Sequence, residues 1–95
     1  MAVAVIMEFK DTTLEQYDQV LEKMGFSPRG PGAAGGIFHW VTKTNGGIRV
    51  TDVWESKEEF EQFAESRIGP LTAEVGISGP PEITYAEVHN YLTAG

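Results

Sequence analysis

The 95-residue chain carries fourteen acidic against seven basic side chains, a formal charge of −7, with 41 % hydrophobic and 22 % charged residues. Such a balance describes one globular domain over residues 1–95, and it repels nucleic acid and anionic membranes because no basic cluster reverses it locally. Cysteine is absent, which excludes disulfides, thiolate metal sites and cysteine nucleophiles.

The apolar start Met1–Met7 has no basic leader and is ended by Glu8, so it reads as a strand over residues 2–9 and not as a signal peptide. The longest apolar run is too short for a bilayer, and a cytoplasmic location is expected. Thr12 with Glu15, or Thr13 with Gln16, fits a capping box that starts a helix. Its apolar stripe is Leu14, Tyr17, Leu21 and Met24, and Gly25 supplies a left-handed stop. Residues 27–36 hold two prolines and four glycines, which forbid regular structure. No Lys-Ser/Thr follows these glycines, so they make no phosphate loop and predict a mobile connection near a pocket mouth.

Strands over 37–43 and 48–55 flank Thr44-Asn45-Gly46-Gly47, where Asn-Gly signals a type I′ hairpin with positive φ at both central positions. Ser56 and Glu59 form a second capping box. The helix that follows turns Phe60, Phe63 and Ala64 inward and a solvated face of Glu58, Glu59, Glu61 and Glu65 outward. Gly69-Pro70 is expected to break it, with a short helical turn over Leu71–Val75 and a last strand over 82–91. The order βαββαβ predicts an α+β fold, the ferredoxin-like plait, with an antiparallel sheet and both helices on one face. The other face has no expected cover within the chain, which points to a second copy of it.

A two-residue hairpin loop sets His39 opposite Asp52, Ile37 opposite Trp54 and Val41 opposite Val50, all on one sheet face. Phe38, Trp40, Thr42, Arg49, Thr51, Val53 and Glu55 then share the other, expected to face a dimer partner. A three-residue loop would dissolve the His39–Asp52 pair. A carboxylate beside an imidazole fixes its tautomer and favours its charged form, which suits a general base or a phenolate holder. A structural histidine satisfied by an aspartate gives the same pattern. In the last strand Ile83, Tyr85, Glu87, His89 and Tyr91 share a face, where Glu87 and His89 supply two metal ligands and no certain third. No metal is expected, and no hydrolase, zinc-protease or nucleotide motif occurs.

The run Val53-Trp54-Glu55-Ser56-Lys57-Glu58-Glu59-Phe60, a strand ending in Trp and entering a capped helix, resembles the antibiotic-biosynthesis-monooxygenase-like families of the dimeric α+β-barrel superfamily. The resemblance implies a homodimer whose sheets close back to back into a barrel, with a small-molecule pocket in each subunit between sheet and helices. Because the family Trp points into that pocket, the His39–Asp52 face is expected to be the helix side. The implied function is a cofactor-independent monooxygenase for an aromatic or polyketide-like molecule. His39 would be its base and Asp52 the orienting group; Trp54, Tyr17, Tyr85 and His89 would contact substrate, Trp54 as pocket wall or packing residue. No cofactor is expected. A cyclase or isomerase that moves a proton with His39, or a ligand-binding, stress-associated dimer without turnover, are the alternatives. The haem-degrading branch pairs its Trp with an Asn late in the first strand and a His in the second helical region. Ile6-Met7-Glu8-Phe9 and Ala64-Glu65-Ser66-Arg67 contain neither, which argues against that chemistry.

Overall fold

Alternation along the first strand defines the inside of the molecule. In β1 (Val3–Lys10), Val3, Val5, Met7 and Phe9 are buried while Ala4, Ile6 and Glu8 face the other way, as the two-residue period of a strand requires. The computed structural model describes residues 1–93. After β1 come α1 (Leu14–Met24), β2 (Gly36–Thr44), β3 (Gly47–Trp54), α2 (Lys57–Phe63), a π-helical turn (Ala64–Ile68), α3 (Gly69–Glu74) and β4 (Glu82–Glu87). The four strands form one antiparallel sheet in the order β2-β3-β1-β4, the α+β ferredoxin-like arrangement. The core lies under the helices, where Val5, Met7, Val50, Trp54, Phe60 and Ile77 pack together. Among the described residues, no helix is long and apolar enough to cross a membrane.

Both helix starts form as the capping residues dictate. Thr13 accepts from the Gln16 amide while Gln16 reaches back to the Thr13 amide; at the second start Ser56 accepts from the Glu59 amide but the Glu59 side chain makes no return bond, so the expected capping box is only half formed. Thr12 is buried instead and donates to the Lys10 carbonyl at 2.9 Å. Gly25 closes α1 at φ 83°, a conformation that costs glycine little. The apolar stripe is rotated from the expected one: Val20 is the buried residue of α1 and Leu14 is 40 % exposed, because the helix docks through the side of Tyr17, Val20 and Met24.

The β2–β3 hairpin has the two-residue loop and pairs His39 with Asp52 and Val41 with Val50. Two details differ from expectation. Neither Asn45 nor Gly46 adopts the left-handed conformation, so the turn is not type I′. Its tip is instead clamped to the end of β1, where the Asp11 amide donates to the Gly46 carbonyl at 2.7 Å. At Gly47 a Cβ would stand 1.9 Å from the Phe9 carbonyl oxygen, so only glycine allows that approach. In addition, a bulge between Gly36 and Phe38 puts Gly36 opposite Trp54 and leaves Ile37 outside the register. The preceding loop is tied at its end, since the Gly36 amide donates to Ala33 and the Glu55 amide to Gly35.

Gly69-Pro70 does not break the helix. The Gly69 amide donates to the Ala64 carbonyl five residues back, and this π-helical turn carries the chain into Pro70, which stands in the first turn of α3 without ending the helix. The last strand ends at Glu87, not at residue 91, so His89 and Tyr91 lie beyond the sheet. Past β4 the Val88 amide bonds to the Ala2 carbonyl, and the Tyr91 ring meets Phe38 edge to face with centroids 5.5 Å apart. Since β4 and β2 are opposite edges, this segment crosses the outer sheet face. That face is therefore partly covered within the chain, near Phe38, while Trp40 stays 50 % exposed.

Candidate functional site

Four side chains from three elements join into one hydrogen-bonded chain. The register of β2 and β3 brings His39 Nδ1 to 2.6 Å from Asp52 Oδ1. Two residues further along β3, on the same face, Trp54 donates its indole N–H to Asp52 Oδ2 at 2.9 Å. Tyr17, from α1, meets His39 Nε2 with its hydroxyl. The phenol and imidazole planes lie within 8° of each other with centroids 5.8 Å apart, so the two rings meet tip to tip.

Burial is deepest at Trp54 and Asp52 and least at His39, with Tyr17 half-buried against the core. Trp54 is 3 % exposed, packed against Phe60 and Phe63, and Asp52 is equally enclosed. The His39 side chain is 40 % exposed, so the site opens at its Tyr17–His39 end. A buried carboxylate is costly unless its oxygens are satisfied, and here each accepts one N–H. The phenol of Tyr17 is pushed up to about 12 by burial first, then by the negative charges of Asp52 and Asp18. It therefore stays protonated across the neutral range.

Of the six residues singled out in the sequence, the structure brings together His39, Asp52, Tyr17 and Trp54. Trp54 is a core residue whose polar edge holds Asp52, and its burial leaves little surface to line a pocket wall. Tyr85 stands on β4 opposite Val5, with its ring against Phe60 and under the Lys57 ammonium at 4.5 Å. Its phenol is raised by burial and then by Glu61. His89 is exposed beyond the end of β4. Both belong to the opposite edge of the sheet and do not join the His39 group. Two shallow hollows, of about 260 and 290 Å³, lie elsewhere, one between β1 and the Pro80-Pro81 turn and one between the first residues, Ser56–Glu58 and Tyr85. The sequence did not reveal that Tyr17 bonds to His39, because a helix-to-sheet contact has no register to count. The only available signal was the place of Tyr17 on the inner face of α1.

No protein-family profile matches the chain, and no curated protein sequence matches it. Solved structures do. One, described as a candidate antibiotic biosynthesis monooxygenase from Deinococcus radiodurans, is 12 % identical with a TM-score of 0.59, over 100 % of this chain and 99 % of its own. Another, a Streptomyces coelicolor monooxygenase in complex with nanaomycin D, is 18 % identical with a TM-score of 0.55, over 99 % and 92 %. Across the whole of its length, the chain has the fold of these antibiotic biosynthesis monooxygenase structures.

Proposed function

We propose that the protein is a cofactor-independent monooxygenase that acts, as a homodimer, on an aromatic or polyketide-like molecule. The observation that carries this reading is the Tyr17–His39–Asp52 chain, a base with its tautomer fixed, open to solvent at one end and anchored in the core at the other. Asp52 holds the proton of His39 on Nδ1, which leaves Nε2 free to take one from substrate by way of Tyr17. Loss of a proton from an activated CH₂ gives a carbanion whose electron pair passes to dioxygen, forming a C–O bond. His39 returns the proton to the resulting peroxide, and the hydroperoxide loses water as the O–O bond breaks. One CH₂ becomes C=O; one oxygen atom stays in the product and the other leaves as water. The dimer rests on the outer sheet face, where Trp40 is 50 % exposed beside the half-buried Ile6 while Val53 is already covered within the chain.

Oxygen consumption with anthrone tests the activity. The expected result is one dioxygen used per anthraquinone formed, abolished in His39→Ala. Proton exchange at the substrate carbon without oxygen uptake would refute the monooxygenase and leave an isomerase. Sedimentation of a stable monomer at micromolar concentration would remove the dimer.

A further inference from the structure

The hydrogen-bond chain of the site has a direction. An ionised Asp52 only accepts, and the Trp54 indole only donates, so Oδ2 is occupied and Oδ1 takes the Nδ1 proton of His39. In neutral imidazole the proton on Nδ1 makes Nε2 an acceptor. Tyr17 faces Nε2, so its O–H points inward to it. The Tyr17 hydroxyl has no other hydrogen-bond partner among the described residues. What the open end of the site offers a ligand is therefore a lone pair on the Tyr17 oxygen.

We propose that Tyr17 is the specificity-determining residue of the site, selecting ligands whose hydroxyl group donates a hydrogen bond to its phenolic oxygen. A phenol or enol satisfies it. An aryl ether of the same outline has no proton to give, and a carboxylate brings a second acceptor into the field of Asp52 and Asp18. The same geometry carries the proton inward. The ligand O–H bond breaks as its proton passes to Tyr17, while the original Tyr17 proton passes to Nε2. The imidazolium is then held between Asp52 and Tyr17, and the Tyr17 hydroxyl now donates outward to the new phenolate. Only protons move, and the site turns from acceptor to donor as the ligand turns from donor to acceptor. This assignment rests on the reading of His39 as a base but does not require oxygen chemistry.

The test compares 1-naphthol with 1-methoxynaphthalene by calorimetric titration at about pH 8, where an ordinary imidazole is neutral. The wild-type protein is expected to prefer the naphthol roughly tenfold, the value of one hydrogen bond to an otherwise unpaired group. In Tyr17→Phe that preference is expected to vanish. Equal binding of the two probes by the wild type, or binding of neither, overturns the proposal. A tenfold preference that persists in Tyr17→Phe also overturns it, since His39 would then read the ligand unaided. A second measurement needs no variant: ¹⁵N NMR of the free protein is expected to show neutral His39 protonated on Nδ1, and the Nε2–H tautomer would reverse the chain and overturn the proposal. Anthrone oxidation followed in the same samples separates the two readings. Selective naphthol binding without oxygen uptake refutes the monooxygenase and supports Tyr17; uptake without selectivity does the opposite.

Discussion

The two edges of the sheet hold similar chemistry in the sequence and very different chemistry in space. The β2 edge has a histidine, a carboxylate and a phenol in His39, Asp52 and Tyr17; the β4 end has His89, Glu87 and Tyr85. At the first edge a paired strand lies beside the histidine and a helix crosses above it, so each ring nitrogen finds a partner. At the other, pairing stops at Glu87 and His89 leaves the sheet two residues later. The residue types were equal. Neighbours on two sides made the difference, because polar groups act as a chain only when their partners are held in place.

The contrast breaks most plainly on the histidines. His39→Ala is expected to lower turnover by about 10²–10⁴-fold while His89→Ala leaves it unchanged, measured as anthrone oxidation. Equal losses would erase the distinction between the edges. Next come the carboxylates, by denaturant unfolding. Asp52→Ala strands the Trp54 and His39 N–H groups and is expected to cost roughly 1–3 kcal/mol, whereas exposed Glu87→Ala should stay within about 0.5 kcal/mol. On the β4 side, Lys57→Ala removes a cation lying over the Tyr85 ring and is expected to cost about 0.5 kcal/mol, with activity untouched.

The smallest expected signal is alkaline. Tyr17 titrates at about 12 when folded, above its ordinary value of 10.0, so between those limits the unfolded chain loses the proton first. The native state then binds more protons than the unfolded state, and stability falls as pH rises through that window. Below it the Tyr17 contribution is constant. Unfolding midpoints of wild type and Tyr17→Phe should therefore run parallel up to about pH 10, with the wild type falling faster above it. Parallel curves throughout would mean that Tyr17 is not held in its neutral form.

Much of the fold can be read from local rules. The capping residues Thr13, Gln16 and Ser56 satisfy orphan amides within one turn, and the two-residue loop fixes the His39–Asp52 register by counting. What escaped was set by distant neighbours. The turn at Asn45-Gly46 takes its shape from the Asp11 amide and the close passage of Phe9 over Gly47, and neither is local to the hairpin. The bulge at Ile37 and the early end of β4 are decided by what those backbones meet across the sheet. In the site, the His39–Asp52 pair was legible because strands carry a register. The Tyr17–His39 bond was not, because the height and rotation of a helix over a sheet come from packing, and Val20 rather than Leu14 proved to be the anchor.

The π-helical turn at Ala64–Ile68 gives the chain a place where its length can change. At about 100° per residue, a continuous α-helix running from Phe60 to Val75 would overshoot whole turns by about 60°. A wider turn takes up one extra residue and so takes back about 100°, which leaves Val75 about 40° short of Phe60 and on the same side of the helix, packed against the core. Ser66, within that turn, is exposed, and its hydroxyl donates to the Gln62 carbonyl of its own helix. Its deletion would turn the wide turn into an ordinary α-turn and leave Leu71 and Val75 facing the core, whereas removing Thr72 from the regular turns of α3 would swing Val75 by about 100°. At the wide turn the chain can lose a residue and keep its facing; one turn later it cannot.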